Sequence, residues 1–214
     1  MIRLIGLHGK KQSGKDSSYR LLNQRLDMPV ARDAFADRLK LSAIRNFLPD
    51  VELEEAYEIC EGLKTCGGVT LTVEHGPYDI QELYVSGREF LQHYGTEAHR
   101  QVFADDFWVS AVLPDLNGPI NFGRSDEKPW SLLIVTDVRF PNEAQAIRDA
   151  GGVVWQIIRP ELEDGATDTH ASEVPLDPEY IDTVIVNDGT LDDLSDKLFE
   201  AWQNVHTPTT YAGV

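Results

Sequence analysis

A seven-residue segment near the amino end constrains the fold of this chain more than any other feature. Residues 9–15, Gly-Lys-Lys-Gln-Ser-Gly-Lys, match the pattern G-x-x-x-x-G-K. The apolar residues 2–8 predict a buried strand before it, and apolar residues at near-helical spacing over 14–26 predict a helix after it. Between a strand and a helix, this pattern is typical of a loop that wraps around a phosphate group.

The residue types in this loop explain why it suits a phosphate. Glycines let the backbone turn so that successive N–H groups face inward, and the N-terminus of the following helix adds a partial positive charge. Lys15 is expected to reach the β- and γ-phosphate oxygens of a nucleotide. The predicted nucleotide-binding residues are Gly9, Lys11, Ser13, Gly14, Lys15, Asp16 and Ser17.

Two carboxylates are candidate ligands of a Mg²⁺ ion beside the phosphates. Asp16 stands where Ser or Thr usually supplies a hydroxyl ligand, and Ser17 follows it directly. Asp137 ends the apolar run 131–136, which predicts a strand buried on both faces of a parallel sheet. Nucleotide-dependent enzymes of this class place a carboxylate near magnesium at such a strand end. The alternative for Asp137 is an acid that only begins the next loop, because the chain continues directly into Arg139.

Strand-like and helix-like segments alternate along the rest of the chain, which predicts a three-layer α/β fold with a parallel sheet and right-handed crossovers. Residues 50–110 are interpreted as an inserted sub-domain, and residues 114–130 and 159–181 as loops. Ser86 and Glu89 have the spacing of a helix capping box. The other predicted segments are a strand end and helix over 34–48, a helix over 52–59, a strand over 69–73, a helix from 86 to beyond 95, a helix over 141–150, strands over 153–158 and 183–186, and a helix over 191–202.

Charge and composition limit the possible partners. The chain has 214 residues with a net charge of −17, and its 42% hydrophobic and 26% charged residues are typical of a folded globular protein. Residues 1–45 hold ten Lys or Arg against four acids (net +6), whereas residues 160–214 hold one Lys against thirteen acids (net −12). Such a chain repels nucleic acid and suits a small anionic ligand. Surface charge that only keeps the protein soluble would explain the acidic residues of 160–214 equally well.

The sequence predicts a cytoplasmic protein without membrane contact. No apolar run approaches the roughly 18 residues that span a bilayer, and residues 1–7 form too short a pattern for a signal peptide. Cys60 and Cys66 are the two cysteines, and we expect both to be reduced thiols.

Four arginines are candidates for binding transferred or acceptor phosphate groups. Phosphoryl transfer spreads negative charge over phosphate oxygens, and arginine presents two parallel donors to them. Each has an alternative as an ordinary surface or salt-bridge arginine. Arg88 and Arg100 share a face only if the helix between them is continuous or suitably broken near Gly95. The four candidates are Arg88, Arg100, Arg139 and Arg159.

With these residues, the sequence resembles the deoxynucleoside monophosphate kinases of tailed bacteriophages, a branch of the P-loop nucleoside monophosphate kinases. The resemblance spans most of the chain, and its most distinctive strings are the Lys15-Asp16 variant of the loop and Asp-Val-Arg-Phe-Pro-Asn-Glu over 137–143. The other matching segments are residues 35–40, 87–92, 95–97 with Arg100, His170 to Glu173, and 187–191.

The resemblance implies a P-loop kinase fold and transfer of the γ-phosphate of ATP to a deoxynucleoside 5′-monophosphate, with Mg²⁺ bridging the donor phosphates. Lys15 would stabilise the transferring phosphoryl group, Arg88 and Arg100 would hold the acceptor phosphate, and Arg139 would lie in the acceptor pocket. The location would be the cytoplasm of a host cell. Kinases of this kind can form homodimers, although no exposed heptad or patch in the sequence demonstrates one.

Further roles follow from the same resemblance. The insertion 50–110 would bind the acceptor, with Gln92 and Glu97 among its substrate-binding residues. Residues 159–181 occupy the place of the lid in such kinases, and Arg159 opens this segment, although many acids make it a poor source of cations. Asp37 would act in catalysis by orienting the acceptor or a metal-bound water; a helix cap is the alternative.

Two other functions remain open at this stage. The same fold could phosphorylate another small phosphorylated metabolite, such as phosphomevalonate. It could also be a nucleotide switch or an ATPase that works on DNA, although the acidic charge and the short chain argue against this.

Overall fold

The chain divides into two compact units. One comprises residues 1–34 and 113–214, and the other comprises residues 35–112. A computed structural model describes residues 3–45, 48, 50–66, 68–76, 79–101, 105–113, 131–162 and 175–206. The predicted insertion 50–110 lies within the second unit.

The described residues form strands and helices in the following order. The strands are β1 (Leu4–His8), β2 (Val30–Asp33), β3 (Gly68–Gly76), β4 (Asp79–Ser86), β5 (Leu132–Val138), β6 (Val153–Ile158) and β7 (Thr183–Val186). The α-helices are α1 (Lys15–Arg25), α2 (Phe35–Arg45), α3 (Leu53–Cys66), α4 (Gly87–Gln92), α5 (Phe107–Val112), α6 (Pro141–Asp149) and α7 (Leu191–His206). A π-helix spans His93–Gln101, and short 3₁₀-helices span Pro160–Leu162 and Pro178–Tyr180.

The first unit is built on a five-stranded parallel sheet with the strand order β2-β5-β1-β6-β7. From β1 the chain crosses to β2 at one edge through α1, and from β5 it crosses in the opposite direction to β6 through α6. Right-handed crossovers in opposite directions place α1 and α6 on opposite faces of the sheet. The loops that follow the neighbouring strands β1 and β5 therefore diverge. Open α/β sheets bind ligands at the point where two such loops diverge.

Buried side chains identify the two helical layers. Leu22 of α1 and Leu194 of α7 lie in one core cluster with Ile5 of the central strand. On the other face, α6 packs so closely that a Cβ added at Gly6 would lie 2.6 Å from Cδ1 of Ile147. The predicted three-layer α/β fold with a parallel sheet is thus confirmed.

The second unit is a helical body with a two-stranded hairpin. β3 and β4 pair in antiparallel fashion, with Val69 opposite Val85. Ile44 of α2, Cys60 of α3 and Phe90 of α4 share the core of this unit. Each comes from an apolar face of its helix, so burial of these faces holds the helices together. Cys60 is buried, and its Sγ donates to the Lys40 carbonyl oxygen at 3.9 Å.

Most of the predicted elements are confirmed, with shifted bounds. The helix predicted over 52–59 continues to Cys66, and the closing helix continues to His206. The strand end predicted at residue 34 belongs to β2, which lies just before it over Val30–Asp33, and β4 was not predicted. The predicted loop 114–130 lies outside the described residues. Within the ranges given above, none of the helices is both long enough and apolar enough to cross a membrane.

Candidate functional site

The loop between β1 and α1 has the backbone conformations that its glycines allow. Gly9 has φ +147° and Gly14 has φ +112°, both in the region that L side chains rarely adopt. A Cβ at Gly9 would lie 2.4 Å from the carbonyl oxygen of Ile157 in β6, and one at Gly14 would lie 2.6 Å from Nδ2 of Asn187. The loop therefore packs closely against neighbouring backbone and side-chain atoms at both of its glycines.

Lys15 lies folded against the same loop. Its Nζ donates hydrogen bonds to the carbonyl oxygens of Gly9, at 2.7 Å, and Lys10, at 2.8 Å. The backbone N–H of Ser13 donates to the Lys10 carbonyl at 3.1 Å and closes a turn. These contacts hold an ammonium group at the loop, where it can bind phosphate oxygens.

The N-terminus of α1 provides a second source of positive potential. Gly14 is the N-cap residue, and it has no side chain to accept from the first N–H groups of the helix. Helix N-termini of this kind bind anions through their N–H groups and the helix dipole. The carboxylate of Asp16 is exposed (68%) and lies 3.6 Å from Arg32. Lys11 is also exposed, and Ser17 is half-buried.

Asp137 is the second-last residue of β5 and Arg139 directly follows the strand. Both lie beside this loop, because β5 pairs with β1 and His8 lies opposite Val138. The side chain of Asp137 is half-buried and that of Arg139 is exposed. Glu143, only 3% exposed, accepts from the backbone N–H of Arg139 at 2.8 Å and of Phe140 at 3.1 Å. This carboxylate fixes the turn into α6, which explains the acid at the end of the Asp-Val-Arg-Phe-Pro-Asn-Glu string.

His8 is the last residue of β1 and directly precedes the loop 9–15. The sequence analysis did not identify it as a site residue. Its Nδ1 is 2.9 Å from the Val138 carbonyl oxygen, and the Leu176 N–H donates to Nε2 at 3.4 Å. Because Nε2 accepts, the proton is assigned to Nδ1, which donates to Val138. Burial is the main cause that lowers the pKa of His8, and the cations Lys15 and Arg139 lower it further. The neutral ring is therefore the form suited to this position.

Asn187 is the second site residue that sequence patterns alone did not single out. Its Nδ2 donates to the Ser13 carbonyl oxygen at 2.9 Å, and its backbone N–H donates to the Ile158 carbonyl oxygen at 2.7 Å. The residue thus extends the β6–β7 pairing and contacts the loop with its side chain. The matching segment 187–191 was the one available signal for it.

In the second unit, the arginine-bearing segment begins at a confirmed capping box. Ser86 Oγ accepts from the Glu89 N–H, and the Glu89 carboxylate accepts from the Ser86 N–H and hydroxyl, which lowers the pKa of Glu89. Arg88 is exposed and Gln92 is half-buried in α4. The π-helix then carries Arg100, which is 8% exposed.

The helix between the two arginines does continue through Gly95, but as a π-helix from His93 onward. Glu97 lies on this π-helix. A Cβ at Gly95 would meet Leu39 of α2, so glycine is required by the close approach of the two helices. Arg88 and Arg100 lie in different surroundings, one exposed and one buried.

Asp37 belongs to an ion-pair cluster in the second unit. Its carboxylate, in the first turn of α2, lies 3.8 Å from Nζ of the buried Lys40. The same Nζ lies 3.2 Å from Glu61 of α3. A buried ammonium group requires such partners, since an unpaired charge inside the protein is strongly unfavourable.

The predicted lid lies only partly within the described residues. Arg159 is exposed and its Nε donates to Glu161 at 2.9 Å. Lys10 Nζ donates to the Leu162 carbonyl oxygen at 3.1 Å, which connects the loop 9–15 to the start of this segment. His170 and Glu173 lie outside the described residues.

The structure therefore brings Gly9, Ser13 and Gly14 together in one loop of the first unit and places Lys15 and Asp16 in the first turn of α1. In the part of the chain that the structure describes, no group of three or more His, Cys, Asp or Glu side chains is arranged to hold a metal ion. The arrangement suits the binding of a polyphosphate through backbone amides, a lysine and a helix N-terminus.

Comparison with known proteins identifies the family. The model of the family "Deoxynucleotide monophosphate kinase" matches residues 68–198. The deoxynucleotide monophosphate kinase of Enterobacteria phage T4 is 32% identical over 243 residues, covering 92% of this chain and 97% of the phage protein. That of Escherichia phage RB69 is 25% identical over 250 residues, covering 92% and 98%. A protein of Acanthamoeba polyphaga mimivirus is 29% identical over 210 residues, covering 94% and 96%. The chain belongs to the deoxynucleotide monophosphate kinase family.

Proposed function

We propose that this protein transfers the γ-phosphate of ATP to a deoxynucleoside 5′-monophosphate, releasing ADP and the deoxynucleoside diphosphate. Family membership supports the acceptor class. The observation that carries the donor site is the loop 9–15, in which the Lys15 ammonium group lies against the Gly9 and Lys10 carbonyl oxygens at the N-terminus of α1. A polyphosphate bound there would draw this ammonium group from the carbonyls to its own oxygens.

The donor phosphates would be bound mainly by the backbone. Inward N–H groups of residues 9–15 and of the first turn of α1 would receive the β-phosphate, and Lys15 would stabilise the charge that develops on the transferring group. These donors are fixed before ATP arrives, because Gly9 and Gly14 are held against Ile157 and Asn187. Little reorganisation would then be needed during transfer.

Magnesium fits the carboxylates near this loop. Mg²⁺ in kinases is usually held by one or two carboxylates together with substrate phosphates, rather than by a dedicated cage of protein ligands. Asp16, with an exposed carboxylate in the first turn of α1, and Asp137, at the end of β5, are the residues that would hold it. The ion would supply neutralisation of the donor-phosphate charge.

The acceptor would be bound by arginines, as the resemblance implies. Arg88 and Arg100 would hold the acceptor phosphate, and Arg139 would contact the acceptor from the loop after β5. Arg88 lies at the start of α4, and its guanidinium group is exposed. An exposed guanidinium group can form bidentate contacts with a phosphate without first moving out of the protein interior, which supports a role in ligand binding. Gln92 and Glu97 would contribute further polar contacts to the acceptor.

The remaining roles stay with the acceptor and the lid. Asp37 would orient the acceptor, with Lys40 beside it to keep the carboxylate in place. Residues 159–181, including Arg159, would close over the substrates and exclude water, which suppresses wasteful ATP hydrolysis. We also propose that the enzyme works in the cytoplasm on free nucleotides, without direct contact with nucleic acid or membrane; a homodimer remains a prediction.

The test is ADP release, coupled to a spectrophotometric reaction, with each deoxynucleoside monophosphate offered separately together with ATP and Mg²⁺. We expect turnover with at least one of them. Lys15→Ala should lower kcat by at least about 10³-fold, because it removes the cation at the transferring group. Arg20→Ala, an exposed cation on the same helix α1, is the matched control and should retain wild-type turnover.

Wild-type turnover in Lys15→Ala would refute the donor site. ADP release that needs DNA and no monophosphate would instead support an ATPase, and turnover restricted to a metabolite such as phosphomevalonate would support a different acceptor. Family membership does not favour either of these alternatives.

A further inference from the structure

We infer that Asn187 is a positioning residue of the ATP site, which orients the peptide group between Ser13 and Gly14 so that its N–H faces the phosphate. This inference rests on the proposed function, because it concerns the same phosphate-binding loop. Asn187 comes 174 residues after Ser13 in the sequence, at the end of β7, and its side chain contacts the loop directly.

The chemistry of the contact fixes the orientation of the amide. The Ser13 carbonyl oxygen can only accept a hydrogen bond, so the group of Asn187 that lies 2.9 Å from it must be the Nδ2 donor. In a trans peptide, the carbonyl oxygen and the N–H of the next residue point in opposite directions. With the Ser13 oxygen held on the Asn187 side, the N–H of Gly14 is directed away from Asn187.

This peptide needs an external restraint. Gly14 is free to adopt many backbone conformations, and its φ of +112° is one of several that glycine reaches at little cost. Rotation of the Ser13–Gly14 peptide would place a carbonyl oxygen, instead of an N–H, toward an anion. Asn187 opposes that rotation by its hydrogen bond to the Ser13 carbonyl oxygen.

Asn187 is itself rigidly held, so it can act as a restraint. Its backbone N–H donates to the Ile158 carbonyl oxygen at 2.7 Å, which continues the register of β6 with β7. Shortly after it, Thr190 and Asp193 cap α7 reciprocally. Because the backbone on both sides of Asn187 is held, its side chain can restrain the loop before ATP binds. Less conformational entropy of the loop is then lost on binding.

Two substitutions test this inference. Asn187→Ala removes the donor, and Asn187→Asp keeps the shape but places a carboxylate oxygen against the Ser13 carbonyl. We measure the Kd of Mg·ATP by titration calorimetry, and the KM values for ATP and for the deoxynucleoside monophosphate that the wild type uses fastest. Asn23→Ala and Asn23→Asp are matched controls, because Asn23 is exposed on α1 and the substitutions change the net charge equally.

We expect Asn187→Ala to raise the Kd and KM for ATP on the order of tenfold, the effect of one well-placed hydrogen bond. Asn187→Asp should raise both further, and the KM for the monophosphate should change less than twofold. A purely structural role would lower the melting temperature and the active fraction without this selective effect on ATP. If Asn187→Ala does not fold, the nearly isosteric Asn187→Asp carries the test.

Each outcome separates this inference from the proposed function. If the wild type phosphorylates a monophosphate and both folded Asn187 variants bind ATP within twofold of wild type, the inference is wrong and the function stands. If the wild type binds ATP but phosphorylates none of the monophosphates, the function is wrong, and weaker ATP binding by the variants still supports the inference. Equal effects on the KM values of both substrates would also overturn it.

Discussion

The proposed donor and acceptor sites lie in different units of this protein, and they would bind anions in different ways. In the first unit, the loop 9–15 would rely on backbone N–H groups and on Lys15, whose Nζ donates to two carbonyl oxygens of the loop. In the second unit, the segment 87–101 carries guanidinium groups on a helix, with Arg88 exposed and Arg100 buried. A backbone site depends on conformation and on the neighbours that maintain it, whereas a side-chain site depends on the individual cation.

This difference determines how each site should respond to substitution. At the loop, a methyl group added to a glycine would shift the backbone and displace the neighbouring N–H groups together. On the helix, removal of one arginine leaves the backbone in place and removes only that group's contacts. Matched substitutions in the two units test this distinction.

Among these matched substitutions, the largest effect is expected from one added methyl group at the loop. Gly14→Ala places a Cβ at a φ of +112° and 2.6 Å from Nδ2 of Asn187. The loop must shift to relieve this contact, and a displacement of about 1 Å at a catalytic site costs on the order of 100-fold in rate. We expect kcat/KM for ATP to fall by about that factor in the coupled assay.

The control for this prediction is Gly62→Ala in the second unit. A Cβ at Gly62, in helix α3, has nothing within 4 Å. Alanine is favoured over glycine inside a helix by about 1 kcal/mol, so this variant should unfold at higher denaturant concentration and keep wild-type kinetics. Equal activity of the Gly14 and Gly62 variants would show that the loop tolerates the added group and that its backbone geometry does not matter.

A smaller and more selective effect is expected from the helix. Arg88→Ala should raise the KM for the monophosphate by roughly 10- to 100-fold, the range for loss of hydrogen bonds to a charged group. The KM for ATP should remain close to wild type. Because Arg88 is exposed, the melting temperature should also change little. Steady-state kinetics with each substrate varied in turn measure both constants.

Arg45→Ala is the control for this variant, since Arg45 is an exposed arginine at the end of α2. Its side chain donates to the Val51 carbonyl oxygen within the same unit. We expect its KM values to match wild type. A larger change in the KM for ATP than for the monophosphate in Arg88→Ala would contradict the assignment of this arginine to the acceptor.

The same contrast explains which parts of the structure could be predicted from the sequence. The strand, loop and helix over 2–26 were predictable, because glycine positions and apolar periodicity are local properties. The capping box at Ser86 and Glu89 is equally local. The turn after β5 was recognisable from its string, although the role of Glu143 as acceptor for two backbone N–H groups became visible only in the fold.

The features that were missed or only partly predicted depend on partners that are distant in the sequence. β4 becomes a strand by pairing with β3, and β2 is a four-residue edge strand that pairs with β5, about 100 residues later. The π-helix accompanies the close approach of Gly95 to Leu39. The contacts of His8 with Leu176 and of Asn187 with Ser13 span 168 and 174 residues. No window of local sequence contains both members of such a pair.

The smallest expected effect is on the pH dependence of stability, through the neutral imidazole ring of His8 at the end of β1. Burial lowers the pKa of His8 from 6.5, and the hydrogen bond to Val138 only partly opposes this. As the pH falls below about 6.5, the unfolded chain takes up a proton at this histidine while the folded protein does not. The free energy of unfolding therefore decreases as the pH falls from about 6.5 to the lowered pKa, by at most about 1.4 kcal/mol per pH unit.

His8→Gln isolates this contribution, because glutamine keeps a donor and an acceptor but does not titrate. The wild type and the variant share all other ionisable groups, so the difference between their unfolding free energies removes the effect of the many carboxylates. We expect the wild type to lose stability relative to His8→Gln between pH 7 and pH 5, measured by urea unfolding at each pH. Parallel stability curves would mean that His8 takes up its proton at the same pH in the folded and the unfolded chain, which would contradict a pKa lowered by burial.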